Sequence, residues 1–262
     1  MMKRTIYQVD AFSREVFKGN PAAVCILDKW PADELMQQIA NENNLSETAF
    51  AVPAGDCFEI RWFTPEMEVE LCGHATLATA HVLFTHLNHP GDQICFDSIH
   101  SGRLNVKRDG ERLTLDFPAD RLEEMVVPEL IVTALMTPPL KAFRGNTDFL
   151  FVFASESEIE TMEPDFGLLA QVGGRGVIVT APGNDVDFVS RFFAPQTGIN
   201  EDPVTGSAHT SLTPYWAKVL GKNRLTARQL SDRGGELICK DKGERVEISG
   251  HAVTYMKGEL SF

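Results

Sequence analysis

The chain has 262 residues, a length that suits two modest domains or one large one. Apolar residues make up 43% and charged residues 23%, ordinary usage for a chain that can bury a core, which sets intrinsic disorder aside. With 24 basic against 37 acidic residues the net charge is −13, so the overall field repels phosphate backbones and anionic lipid, and nucleic acid is a poor partner.

No run of 18 apolar residues occurs, and Lys3, Arg4, Gln8, Asp10 and Glu15 interrupt any signal-peptide core. A cytoplasmic protein with no membrane partner is expected. Five cysteines (Cys25, Cys57, Cys72, Cys95 and Cys239) are odd in number and lack a C-x-x-C pair, arguing against a disulfide framework and a zinc knuckle. Four read as core residues, and only Cys72 falls near a motif.

In chain order, strands are predicted over 5–10 and 22–27, then a helix over 31–41 whose Leu35, Met36, Ile39 and Ala40 recur at helical spacing. Strands over 48–52 and 58–63 precede a helix over 74–87 that is apolar nearly all round and therefore buried. Strands over 93–96, 103–108 and 112–117 close this half. The second half offers a strand over 149–154, a helix over 165–171, strands over 177–180 and 187–193, a helix over 208–220, and strands over 236–239 and 245–249. Pro214 lacks the N–H that a helix interior needs, so a kink or an early end is expected there.

The halves resemble each other. Arg61-Trp62-Phe63-Thr64-Pro65 returns as Arg191-Phe192-Phe193-Ala194-Pro195, Gly73-His74-Ala75 as Gly206-Ser207-Ala208, Lys18-Gly19-Asn20 as Arg144-Gly145-Asn146, and Ala51-Val52-Pro53 as Thr180-Ala181-Pro182. The order is kept at nearly one offset, which points to a duplicated unit. Strand-rich halves that each enclose one apolar helix imply an α+β fold in which a rolled sheet surrounds a central helix, twice. The predicted domains are 1–119, with 251–262 a candidate closing strand, and 120–250.

Gly73-His74 and Gly206-Ser207 each open a central helix, where unpaired N–H groups carry partial positive charge and suit a carboxylate or a developing enolate. Asp202, Thr205 and Ser207 gather before the second helix. Glu47 stands at the mouth of an apolar strand, and its counterpart in the repeat is Gly176. One acid in an otherwise paired site is what a single acid/base catalyst needs, whereas a Ser46/Glu47 capping box is the structural alternative. The cluster Gly173-Gly174-Arg175-Gly176 reads as a backbone turn, and His81, His86 and His89 as packed or solvated rings. Dinucleotide, nucleotide, zinc-protease and serine-hydrolase fingerprints are absent from the sequence, which removes those common readings, and no carboxylate pattern accompanies the histidines to suggest a metal.

Asn20-Pro21-Ala22, Ser46-Glu47-Thr48-Ala49-Phe50, Arg61 to Pro65, Cys72-Gly73-His74-Ala75-Thr76 and Glu201-Asp202-Pro203-Val204-Thr205-Gly206-Ser207-Ala208 together resemble the PhzF-like family of phenazine-biosynthesis isomerases. The resemblance implies two diaminopimelate epimerase-like domains, pseudo-symmetric, with the site in the cleft between them, and a homodimer. It also implies a cofactor-free proton shift on a small carboxylate-bearing metabolite. Glu47 would carry the proton, with His74, Asp202 and Ser207 as catalytic partners and Cys72, Gly73, Ala75, Thr205 and Gly206 lining the substrate. Racemases of this fold use a thiol at each helix start; here Thr205 replaces the second. An amino-acid racemase using Cys72 with Glu47, and a metabolite-binding protein without turnover, are the alternatives.

Overall fold

The computed structural model describes residues 3–261. In chain order the elements are β1 (Lys3–Ala11), β2 (Asn20–Ile26), α1 (Asp33–Asn43), β3 (Glu47–Ala54), β4 (Cys57–Phe63), β5 (Glu68–Val69), α2 (Gly73–Thr85), β6 (Gln93–Ser98), β7 (Gly102–Asp109), β8 (Arg112–Pro118) and β9 (Glu123–Met125). There follow α3 (Glu129–Leu135), β10 (Lys141–Arg144), β11 (Asp148–Val152), α4 (Glu156–Glu160), α5 (Phe166–Leu169), β12 (Gly176–Pro182), β13 (Phe188–Ala194), β14 (Ile199–Glu201), α6 (Ala208–Leu220), β15 (Arg224–Gln229), β16 (Gly235–Asp241), β17 (Arg245–Gly250) and β18 (Ala252–Ser261). These form two compact units, Met1–Asp116 with Ser249–Phe262, and Phe117–Ile248.

The units share one pairing scheme. In the first, β1 and β2 are antiparallel, β2 and β3 parallel, β3 and β4 antiparallel, β4 and β6 parallel, and β6 and β7 antiparallel. In the second, β10, β11, β12, β13, β15 and β16 repeat that alternation in the same order. Short strands β5 and β14 sit antiparallel to β4 and β13 at equivalent points. The likeness of the halves is therefore a likeness of hydrogen-bonding topology, with a rolled mixed sheet and a central helix in each unit.

The central helices, α2 and α6, each have 13 residues. In α2 every residue except His81 and Thr85 is buried, as its all-round apolar sequence predicts. Thr76 and Thr79 are tolerated there because each hydroxyl donates to the carbonyl four residues back, Cys72 O at 2.6 Å and Ala75 O at 2.7 Å. In α6, Trp216 stacks on Phe188 with ring centroids 5.8 Å apart and donates its indole N–H to Thr180 Oγ1 at 2.9 Å.

Three expectations need correction. Pro214 neither ends nor splits α6, which runs unbroken past it. The carbonyl it orphans, Thr210 O, accepts the backbone N–H of Asp120 at 3.2 Å, and Asp120 also receives the Ser211 hydroxyl at 2.7 Å. The helix expected over 165–171 is a single turn, Phe166–Leu169, started by the Asp165 side chain accepting from Leu168 N. Cys57 and Cys95 are joined in a disulfide, their Cα atoms 4.9 Å apart. They precede Phe58 and Phe96, which face each other across the parallel pair β4 and β6, a register invisible in the linear spacing.

Among the described residues no helix is long and apolar enough to cross a membrane. The disulfide closes a loop of 38 residues, worth about 4 kcal/mol by chain entropy. Thiol titration of the denatured, unreduced protein should find the three free cysteines, Cys25, Cys72 and Cys239, and five after reduction. Five thiols without reductant would show Cys57 and Cys95 to be unbonded.

Candidate active site

In the first unit, β2 and β3 run parallel with Ala22 opposite Glu47, so the strand beginnings deliver Asn20 and Glu47 to the start of α2. Asn20 follows Gly19, whose φ of +66° and position 2.2 Å from Ala11 O, measured from an added Cβ, admit only glycine. Glu47 is the first residue of a strand, and the capping-box alternative falls away. The side chain of Cys72, the N-cap of α2, makes no capping bond, which leaves the N–H groups of Gly73, His74 and Ala75 at an uncapped helix start.

His74 is buried between these groups. Its Nε2 lies 3.2 Å from Glu47 Oε2, while Nδ1 lies 3.2 Å from the Asn20 carboxamide nitrogen and 3.5 Å from Cys72 Sγ. With Asn20 donating to Nδ1, the ring carries its proton on Nε2, facing the carboxylate. Burial pushes the imidazole down to about 3, so it is neutral at physiological pH and offers a donor without adding charge. The Glu47 side chain keeps 15% of its surface open, so it is reachable from outside.

The second unit repeats the frame with different chemistry. Asp148, opposite Gly176 across β11 and β12, stands where Ala22 stands in the first unit. A Cβ on Gly176 would sit 2.2 Å from the Phe192 ring, so no side chain can stand where Glu47 stands. The preceding residue, Arg175, fills that role with opposite charge. Its guanidinium grips the buried Asp148 through Nε at 2.9 Å and through Nη2, and Nη2 also donates to Ser207 Oγ at 2.9 Å. Asp202 accepts the Thr205 hydroxyl, and Gln229 ties this turn together, accepting from Thr205 N and donating to Asp202 O, each at 2.8 Å. His209, fully buried and pushed by burial down to about 4, donates from Nδ1 to Thr205 O at 2.9 Å. Thr76 holds Cys72 O in the same way four residues into α2.

Each approach segment is pinned by one ion pair. Arg61 holds Glu68 through Nε at 2.7 Å and Nη2 at 2.6 Å, ahead of Cys72; Arg191 holds Glu201 at 2.7 Å and 2.8 Å, directly before Asp202. Both guanidiniums also lie over a phenylalanine, Phe63 and Phe193. The structure thus gathers Glu47, Cys72, Gly73, His74 and Ala75 in one unit, and Asp202, Thr205, Gly206 and Ser207 in the other. Sequence reasoning missed Asp148, Gln229 and His209, quoted Asn20 only within a motif, and took Arg175 for part of a turn. The signal for Arg175 was its place one residue before the counterpart of Glu47.

The sequence profile of the family described as phenazine biosynthesis-like protein matches residues 9–258. The chain belongs to that family. A Pseudomonas aeruginosa family member, named an uncharacterized isomerase, is 54% identical over 259 residues, covering 99% of each chain. The crystal structure of an Enterococcus faecalis PhzF-family protein superposes with a TM-score of 0.97 at 49% identity, covering all of both chains. A hydroxyproline epimerase from Agrobacterium vitis shares the fold, with a TM-score of 0.65 at 10% identity over 98% of this chain and 92% of that one. As a PhzF-like family member the protein is an isomerase with the epimerase-like α+β fold.

The buried rings make stability depend on pH. His74, His81 and His209 sit at about 3, 4 and 4 when folded, against 6.5 for a free ring. The folded protein then refuses protons that the unfolded chain accepts, so the stability is complete above about pH 6.5 and is lost as pH falls toward 4. The unfolding free energy from urea titration should drop between pH 7 and pH 5, by roughly 1 kcal/mol per histidine per pH unit once below 6.5, and the midpoint with it. An unchanged midpoint would mean these rings are protonated inside the fold.

Proposed function

We propose that the protein is a cofactor-independent isomerase that moves a proton between two carbons of a small carboxylate-bearing metabolite, with Glu47 as the single acid/base. The observation that carries this reading is the pairing of Glu47 Oε2 with Nε2 of a buried, neutral His74, at 3.2 Å. A carboxylate beside a neutral donor can take a carbon-bound proton and return it, because the imidazole steadies the anion without holding it permanently ionised. Asp202 and Ser207 are assigned to holding polar groups of the substrate. Ser207 Oγ accepts from Arg175, which leaves its own hydrogen to donate toward a carboxylate.

Racemisation with Cys72 and Glu47 fits less well. Inverting a carbon needs a base on one face and an acid on the other. Yet ligand atoms of Glu47, Cys72 and His74 all lie within 4.8 Å of one another, too close together for thiol and carboxylate to stand on opposite faces of one carbon. A single carrier instead predicts a shift along one face, with part of the original proton returned to the product.

The test is proton NMR in deuterated water with a dihydro-hydroxyanthranilate, diaminopimelate, proline and simple unsaturated carboxylates. We expect deuterium to enter one compound with the wild type, with incomplete labelling of the product. Glu47→Gln should keep the fold by circular dichroism and slow exchange by about 10²-fold or more. Wild-type exchange in that variant, or inversion at one carbon with full labelling, would overturn the reading.

A further inference from the structure

The geometry points to a site for one thiophilic divalent cation of the Zn²⁺ type on Glu47, Cys72 and His74, and we propose that its occupancy arrests proton transfer. Among the described residues these are the three cysteine, histidine or acidic side chains whose ligand atoms come within 4.8 Å of one another. Bonds of about 2.0 to 2.3 Å to nitrogen, oxygen and sulfur place tetrahedral ligands roughly 3.5 Å apart, so Cys72 Sγ, which lies 3.5 Å from Nδ1, turns toward the Nε2 side to close the site. His74 Nε2 and Glu47 Oε2, at 3.2 Å, already have that spacing.

The donor set selects the metal. One sulfur, one imidazole nitrogen and one carboxylate oxygen suit Zn²⁺ and its thiophilic neighbours, whereas Mg²⁺ and Ca²⁺ require six or more oxygen ligands. Three protein ligands leave a fourth position for water or a small carboxylate. Asn20 supplies the outer support: its carboxamide faces Nδ1 and can present nitrogen or oxygen there, so it can hold the ring with the proton on Nδ1 and the Nε2 lone pair turned to the metal. Binding forms the sulfur–metal bond as the Cys72 thiol proton leaves to solvent, and the Nε2 proton is exchanged for one on Nδ1. The second unit carries Gly176, Thr205 and Ser207 at the matching positions, which predicts one ion per chain.

Arrest follows because a coordinated Glu47 has given its lone pair to the metal and cannot accept a carbon-bound proton. That consequence rests on the acid/base reading of Glu47; the binding itself does not. The experiment titrates the purified, unreduced protein with Co²⁺ as a spectroscopic probe and then displaces it with Zn²⁺ followed by calorimetry. A sulfur-to-cobalt charge-transfer band, intense visible bands of a tetrahedral ion and one Zn²⁺ per chain are expected. Cys72→Ser should abolish the charge-transfer band and weaken Zn²⁺ binding by well over tenfold, and Asn20→Ala should weaken it by about tenfold or more. His86→Asn is the control, since His81 and His86 both reach Thr254 Oγ1, at 2.9 and 2.8 Å, and form the competing imidazole pair; it should bind as the wild type does. Absence of the band, its survival in Cys72→Ser, or its loss in His86→Asn would overturn the site. Zn²⁺ binding with unimpaired exchange would overturn the arrest, and binding in a protein that exchanges no proton on any of the compounds above would count against the Glu47 acid/base reading alone.

Discussion

A helix start that is buried cannot leave the donors of its first turn in water, and that constraint organises both units. The N–H groups at the starts of α2 and α6 lie where neither N-cap side chain closes them, since neither Cys72 nor Ser207 makes a capping bond. Much of the surrounding structure holds those starts in place. Thr76 and His209 each tie down the carbonyl four residues back, and Arg61 and Arg191 clamp the short strands that lead in. Breaking such a clamp strands a carboxylate in a partly buried place, a far larger cost than losing a surface pair. Each helix start is thereby tied to its neighbours at several points.

On this shared frame the two copies diverge at one position. In the first, the leading residue of the third sheet strand is a glutamate; in the second, the ring of Phe192 occupies the space a side chain would need, and glycine is the residue that fits. The charge then appears one residue earlier and with the opposite sign, as Arg175. The two units present equivalent helix starts, and packing of one aromatic ring leaves room for a carboxylate side chain beside only one of them.

Much of this was legible in the sequence because it rests on local patterns. The all-round apolar run of α2 announces a buried helix, and the recurring Arg-aromatic-Phe motif marks β4 and β13, whose arginines form matching clamps. What stayed hidden is non-local or weakly patterned. Strand β15 buries Leu225, Ala227 and Gln229 on alternate residues, and a glutamine and an alanine do not look like a core face. Gln229 is inward because it satisfies Thr205 N and Asp202 O, a role set by a turn some two dozen residues away. The Cys57 to Cys95 bond depends on parallel register between strands that are not sequence neighbours, and the unbroken α6 on a donor from Asp120 far upstream of Pro214. Of the site, Glu47, His74, Asp202 and Ser207 stood out by motif, while Arg175 was masked by the glycines around it.

Arg175 also settles what kind of group Ser207 can be. Left alone, a serine hydroxyl is ambivalent, giving or taking a hydrogen bond as its partner requires. A guanidinium has only donors, so the contact from Arg175 Nη2 consumes a lone pair of Ser207 Oγ and turns the hydroxyl hydrogen outward. Asp148, nearly sealed from solvent, in turn holds the guanidinium through two nitrogens and offsets its charge, so the arrangement fixes an orientation without adding net charge. Similar logic operates at His74, where the Asn20 carboxamide nitrogen beside Nδ1 favours the ring proton on Nε2, on the side of Glu47. In each unit a neutral residue at the helix start is made a donor by a partner behind it. A group that accumulates electron density there would meet a donor hydrogen and a helix terminus together.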